Sequence, residues 1–512
     1  MANTLSVLVW STLFLFAALI LLLNILKEKE SRNCKLRPPG PPAWPIFGNF
    51  FDLGNMPHQS LYKLRAKYGP VLWLKLGSVN TVVIQSAKAA NEMFKNQDHI
   101  FCDRKVPDAL IARNYYQGSL AFGRYGVYWR ILRRLCASEL SVNRRINETA
   151  PIRRKCIDKT IQCIENDVAE AQARGESGQV DLSHYLFLMA FSLIGNLTLS
   201  RELLNLQSKQ ELEFFAAMVK CMEWVGKPNM SDYFPFLRSL DPQGIRRNMM
   251  KDMGCVLQII SGYVKERLDE QKLLNDEKKD FLDGLIQYEG DGKEGPDRLS
   301  DQNINIIVTE MFLAGSETTS STMEWAVAEL LRNPEAMRKT KDELDRVVGR
   351  NRKVEEKDIV ELPYFKAVLK ETLRLHPPAP LLLPRNAMTD TEFMGYQIPK
   401  DTQVFVNVWA IGRDPDCWEN PLSFKPERFL GSNVDFKGQH FELIPFGSGR
   451  RICVGISLAD RLLHLGLASL LHHFDWELGQ DATPESLDMN ERFGIAVRKL
   501  VPLRVIPKKR IM

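Results

Sequence analysis

The sequence predicts a mostly α-helical fold with small β-sheets: one large domain behind an N-terminal membrane-spanning helix. Three observations carry this. Leu5 to Leu26 is an uncharged apolar run of 22 residues. Helical patterning dominates from about residue 87 to about 390. Strand-like runs and Gly/Pro-rich turns are confined to 71–86, to 394–450 and to the C-terminus. Length alone (512 residues) would suggest about three domains, but the 45% apolar content also fills one large core.

In chain order, Leu5–Leu26 spans about 33 Å as a helix, enough to cross a bilayer core. It is too long for a signal peptide and lacks both a basic start and a small-residue cleavage site. Lys27, Lys29, Arg32, Lys35 and Arg37 follow it and no Lys or Arg precedes it, which places the remainder on the cytosolic side. Next come five prolines between Pro38 and Pro45, a stiff connector that forms neither a helix nor a central strand. The predicted organisation is therefore an anchor over 1–26, a basic and Pro-rich hinge over 27–50, and a globular body over 51–512. Within the body, Val71–Ser86 reads as two strands around a Gly-containing turn. Leu299–Arg332 reads as a helix capped by Ser300 and stopped by Asn333-Pro334, and a further helix is expected from about 456 to 473.

Composition excludes several function classes. The net charge of +5 is slight for 512 residues and gives no support to nucleic-acid binding. The nine cysteines (34, 102, 136, 156, 163, 221, 255, 417 and 453) are scattered and contain no C-x-x-C pair. That argues against zinc ribbons, dithiol redox sites and C-x-x-C-H haem attachment, and suits free thiols in a reducing compartment. The sequons at Asn147, Asn196 and Asn229 would be inert there. The spacing of Gly447, Gly449 and Gly455 is not G-x-G-x-x-G, and P-loop, serine-hydrolase and zincin motifs are missing.

Chemistry concentrates in four stretches. PFGSGRRICVG, 445–455, sets Cys453 behind Arg450 and Arg451 on a Gly-rich turn. Taken alone it fits either a buried thiol or a thiolate held for metal or nucleophilic chemistry. AGSETTSS, 314–321, puts Gly315 and clustered hydroxyls mid-helix, where an ordinary core helix avoids them. There Thr318 lies one turn beyond Ala314 and either takes its carbonyl or leaves it free, with the acid Glu317 alongside. Glu371 and Arg374 share a helix face at i, i+3, with Arg428 in FKPERF as a further partner. Trp129 and Arg133 stand at i, i+4 in YGVYWRILRR, flanked by Arg130 and Arg134.

In their order and spacing these stretches resemble the haem-thiolate monooxygenases, the cytochrome P-450 superfamily, in its plant microsomal form. Phe446, Gly449, Arg451, Cys453 and Gly455 match F-x-x-G-x-R-x-C-x-G. Ala314, Gly315, Glu317, Thr318 and Thr319 match A-G-x-[DE]-T-[TS]. Glu371 and Arg374 match E-x-x-R, with Arg428 as third member, and Trp129 and Arg133 match W-x-x-x-R. The similarity covers essentially the whole chain. Val454 departs from it, because most plant relatives carry proline there.

The resemblance implies the cytochrome P-450 fold and haem b with Cys453 as thiolate axial ligand. It further implies that Arg451, Trp129, Arg133 and Arg385 meet the propionates, and that Glu317 and Thr318 deliver protons during oxygen activation. Electrons would come from NADPH through an acidic-surfaced membrane flavoprotein, NADPH–cytochrome reductase, with Arg130 and Arg134 as a basic docking face. The location implied is the endoplasmic reticulum membrane, single-pass, with a cytosolic catalytic domain. Closest in appearance are geraniol and other terpenoid hydroxylases, with flavonoid or phenolic hydroxylases as neighbours. A reductase-independent isomerase or dehydratase on the same fold, or a haem sensor without turnover, are the other readings. The expected substrate is a small, lipophilic plant metabolite of terpenoid size, iridoid, monoterpenoid or diterpenoid. Its contacts are expected among Tyr115, Tyr116, Phe312, Leu313, Ala314, Ala379, Leu381, Leu382, Phe493 and Ile495.

Overall fold

The computed structural model describes residues 37–203, 208–274, 280–290, 292, 294–479 and 482–510. The predicted anchor and the first part of the predicted hinge lie outside them.

The principal helices are α1 (Pro57–Tyr68), α2 (Val127–Leu140), α3 (Ala150–Ala173), α4 (Leu182–Leu199), α5 (Lys209–Gly226), α6 (Ile245–Leu274), α7 (Asp301–Arg332), α8 (Pro334–Val348), α9 (Pro363–Leu375) and α10 (Ile456–His473). The central one, α7, runs 32 residues and starts where the sequence predicts: the Ser300 hydroxyl accepts from Asn303 N. It packs against α4, α6, α9 and α10. Gly315 explains one close approach, because a Cβ there would stand 2.8 Å from Ile194 Cδ1 on α4. The glycine that an ordinary core helix avoids is thus a packing requirement between two core helices. Among the described residues, α4 is the one helix long and apolar enough to cross a membrane, yet it is mostly buried in the core.

The main sheet pairs β1 (Val71–Leu76) with β2 (Val79–Ile84) as an antiparallel hairpin turning at Gly77-Ser78. Two later strands complete it: β4 (Arg385–Asn386), and β7 (Gln403–Val406), which runs parallel to β2 and antiparallel to β4. A small hairpin of β5 (Thr391–Phe393) and β6 (Tyr396–Ile398) lies between them in sequence. On the helical side, β3 (Val180–Asp181), β8 (Phe474–Leu478) and β11 (Arg504–Lys509) form a three-stranded sheet. A last hairpin, β9 (Glu491–Arg492) with β10 (Arg498–Lys499), reaches back to α7.

Residues 37–50, the described part of the Pro-rich connector, are stitched onto β1. Trp73 N donates to Pro39 O at 2.9 Å and Asn49 N to Lys75 O at 2.6 Å. The Asn49 amide donates to the carbonyls of Pro41 and Pro42, and Arg37 stacks on Trp73. Proline lacks an N–H, so its carbonyls and one asparagine side chain do the pairing that a strand would do twice over.

Candidate active site

The Cys453 loop lies between the main sheet and the start of α10. Cys453 N donates to Phe446 O at 3.0 Å, which closes the turn. Gly449 is demanded twice: its φ is +69°, and a Cβ would stand 2.4 Å from Asp98 Oδ1. Asp98 is the loop's clamp. It accepts from Arg450 N at 2.8 Å, from the Arg450 guanidinium at 3.1 Å and from Arg385 Nη1 at 2.8 Å. Burial pushes the Cys453 thiol up, opposed by the Gly455 N–H and Arg133.

Cys453 is exposed beside the buried Arg451, and Ala314 is exposed in the middle of a buried stretch of α7. Around the Cys453 loop stand guanidiniums with few acids to match. Arg104, Arg385 and Arg451 are buried at 5, 3 and 8% exposure. Burial and the neighbouring Arg385 and Arg451 hold Arg104 well below the usual range. Burial and Arg385 bring Arg451 down to about 10. Arg133 is half-buried, and no hydrogen bond or ion pair to it is found among the described residues. Of the nearby acids, Asp98 is engaged by Arg385 and Arg450, and Asp103 by Arg124 and Tyr125 N. A crowd of buried cations that repel one another calls for an anionic partner.

The residues expected on the propionates are also bonded to the protein, which aims them without using every guanidinium N–H. Trp129 Nε1 donates to Leu120 O at 2.8 Å, and its ring lies 3.9 Å under the Arg451 guanidinium. Arg451 donates to the carbonyls of Cys102, Leu120 and Gly123. Arg385 is tied to Asp98 and to Ser448 O, its ring partner being Phe94. Arg104 was missed: it donates to the carbonyls of Leu383, Pro384 and Ala121. Asp98 and Glu310 were missed as well. No spacing rule points to any of them, because their partners lie far away in sequence.

On α7, Thr318 Oγ1 donates to Ala314 O at 2.7 Å, so the carbonyl is not left free. Glu317 points elsewhere. Arg498 Nε on β10 donates to its Oε1 at 2.7 Å, while Oε2 is buried without a partner. Burial pushes this carboxyl up, against the pull of Arg498 and Arg492. Glu317 lines a half-open cleft of about 450 Å³ together with Ser320, Arg492, Phe493, Ile495 and Arg498.

The expected substrate contacts divide accordingly. Ala314 is exposed, and Ala379, Leu382 and Tyr116 are partly so. Phe493 and Ile495 line the Glu317 cleft instead. Phe312 is fully buried against the rings of Phe191 and Phe214, at 4.9 and 5.2 Å, and fills core. Leu313 is 6% exposed, and Leu381 packs with Leu61, Leu72 and Phe405 in a separate cluster. Tyr115 is 1% exposed with an unpartnered hydroxyl, so it is buried rather than presented to a ligand. A helix buried on nearly every side does not announce which of its faces meets the core.

The E-x-x-R residues come together as a buried network. Arg374 grips Glu371 with two bonds of 2.7 Å, Arg428 Nε adds a third at 3.0 Å, and Lys425 N donates to the same carboxylate at 2.7 Å. Arg374 also donates to the carbonyls of Gly412, Pro421 and Ser423. The network pins the 412–428 segment to α9, and so supports the stretch leading into the Cys453 loop.

Among the described residues no three His, Cys, Asp or Glu side chains gather to hold a metal ion. A metal at Cys453 must therefore bring its other ligands with it, and an anionic macrocycle meets both requirements. A single thiol, a cluster of buried guanidiniums and a hydroxyl-bearing helix are the parts that a haem-thiolate centre uses.

The comparisons agree: the cytochrome P450 family model matches residues 38–502, and the chain belongs to that family. It is similar to an iridoid oxidase of Catharanthus roseus, 56% identical over 501 residues, covering 98% of this chain and 97% of the relative. A geraniol 8-hydroxylase of the same plant is 43% identical, covering 93% of this chain and 95% of the relative. Among solved structures, a zebra fish cytochrome P450 with progesterone superimposes with a TM-score of 0.74 at 28% identity, covering 89% of this chain and 99% of that one. The chain is accordingly a haem-thiolate monooxygenase that draws electrons from NADPH through a reductase.

Proposed function

We propose that this enzyme hydroxylates or otherwise oxidises small terpenoids, of iridoid or monoterpenoid size, at a cytosolic site on the endoplasmic reticulum membrane. The observation that carries the reading is an exposed Cys453 on a Gly/Arg turn amid the buried guanidiniums of Arg104, Arg385 and Arg451, with Ala314 exposed at the middle of α7. Similarity to an iridoid oxidase and a geraniol 8-hydroxylase supports the substrate class.

Haem bound through the Cys453 sulfur supplies a thiolate-ligated iron that favours O–O cleavage. Arg133, Arg104, Arg385 and Arg451 would hold its carboxylates. Thr318 holds its proton on the Ala314 carbonyl and releases it when its hydroxyl turns. Glu317, the neighbouring acid, is held by Arg498 over the adjoining cleft and would have to turn from it to restore that proton. An apolar wall with few polar groups favours lipophilic ligands and discriminates weakly between them: one methylene is worth about 1–3 kcal/mol. Several related terpenoids should therefore turn over.

Electron delivery fits the basic side of α2. Arg134 is exposed there, whereas Arg130 is partly offset by Glu294 at 3.4 Å, so Arg134 is the stronger docking charge. For the membrane, the predicted anchor is joined by an exposed apolar patch. Trp44, Ile46, Phe47 and Phe51 stand beside Phe236 and Leu240 at 40–73% exposure, linked by Phe47–Phe234 and Phe234–Phe236 ring contacts. Such a patch suits a lipid surface.

The test is reconstitution with reductase, NADPH and a panel of monoterpenoids, iridoids and phenolics, followed by mass analysis. Products heavier by one oxygen from the terpenoids are expected. Turnover confined to the phenolics, or to charged water-soluble compounds, would overturn the substrate class.

A further inference from the structure

Glu310 on α7 is 4% exposed and belongs to none of the motifs above. Its carboxylate faces the 119–123 loop, which precedes α2. Oε1 accepts from the Ser119 hydroxyl, and Oε2 accepts from Leu120 N at 2.6 Å and Ala121 N at 3.2 Å. The Ser119 hydroxyl in turn accepts from Phe122 N at 2.9 Å.

The other side of that loop is where the cation cradle is held. Leu120 O accepts from both Trp129 Nε1 and Arg451 Nη1, at 2.8 and 3.1 Å. Ala121 O accepts from Arg104 Nε at 3.1 Å, and Gly123 O from Arg451 Nη2 at 2.8 Å. One buried carboxylate thus fixes the peptide groups whose carbonyls aim two guanidiniums and an indole. A carboxylate is suited to this because it accepts several bonds and donates none. Its burial is costly and the charge is retained against it. The remaining groups that act on it are the Tyr115 hydroxyl, the Cys136 thiol and the Arg451 guanidinium.

We infer that Glu310 is a positioning residue for the cofactor. By clamping the 119–121 peptide groups to α7, it sets Arg104, Arg451 and Trp129 in place to retain haem. It touches neither substrate nor reacting atoms. The inference rests on haem binding and not on the terpenoid reading, and it is measured without substrate.

The experiment uses purified holoenzyme without reductase and follows haem loss to an excess of a haem-scavenging apoprotein. Glu310→Gln replaces one acceptor oxygen by a donor facing N–H groups; haem loss about tenfold faster at neutral pH is expected. The second readout is the pH profile. Burial brings Glu310 up to about 6, opposed by its Ser119, Leu120 and Ala121 bonds. Wild-type haem loss should therefore accelerate as pH falls through that region, and Glu310→Gln should lack this step. Ser119→Ala, which removes a single bond, should give a smaller acceleration and decides the matter if Glu310→Gln does not fold. A Glu310→Gln enzyme with wild-type haem-loss rate and pH profile overturns the inference. So does one that loses only thermal stability.

Discussion

Glu317 and Arg498 are joined at 2.7 Å, from the middle of the central helix to the C-terminal hairpin, across 181 positions of sequence. The pair leaves Glu317 Oε2 buried and unpartnered beside a half-open cleft. Burial pushes the Glu317 carboxyl up and Arg498 pulls it back. Removing the cation leaves burial less opposed, so Arg498→Ala should move the Glu317 limb of the pH–rate profile to higher pH. Glu317→Gln should lower product formation about 10²-fold at unchanged haem content. A limb that stays in place in Arg498→Ala shows that the profile does not report Glu317.

Thr318→Ala removes the hydroxyl held on Ala314 O and leaves the helix backbone intact. Haem and substrate binding should persist, while reducing equivalents are released as hydrogen peroxide in place of product. The check is the ratio of product to NADPH consumed. An unchanged ratio would falsify the assigned role.

Cys453→Ser substitutes a neutral hydroxyl for a thiolate donor. The reduced, carbonyl-bound spectrum should lose its red-shifted Soret band, and turnover should vanish. The same band in the variant as in wild type would remove Cys453 from the centre.

Glu371→Ala leaves Arg374, itself 1% exposed, and Arg428 without their shared carboxylate. Uncompensated buried charge costs about 3–5 kcal/mol. The variant should unfold at markedly lower temperature or fail to accumulate as holoprotein. A loss below about 1 kcal/mol, typical of exposed pairs, would mean that the network is not buried in solution.

Acid should cost stability through Glu491. Burial raises this carboxyl, but His58 at 2.7 Å and Gln59 at 2.7 Å outweigh it and bring it down to about 2. Because the folded value lies below the unfolded one, the stabilisation is fully present above about pH 4.5 and disappears as pH falls towards 2. Its size is about 3 kcal/mol. Denaturant titrations of wild type and Glu491→Gln should converge as pH is lowered through that window. Parallel curves would exclude the linkage.

What the sequence by itself determined is whatever depends on neighbours a few positions apart. The Gly/Arg/Cys loop, the Ser300 cap, the Thr318–Ala314 turn and the Glu371–Arg374 pair all lie within one helical turn or one tight loop, where spacing dictates geometry. Only the tertiary structure decided the rest. Asp98 meets Arg450 from 352 positions away, and His58 meets Glu491 from 433. Glu310 finds its loop 189 to 191 positions back. No periodicity marks an acid whose partner lies that far off along the chain. The same holds for helix faces: Phe312 and Ala314 are two residues apart, yet one is fully buried among rings and the other is exposed. The reason is rotational. Each residue advances a helix by about 100°, and which direction meets the cofactor is set by the packing of α4, α6 and α10 around α7.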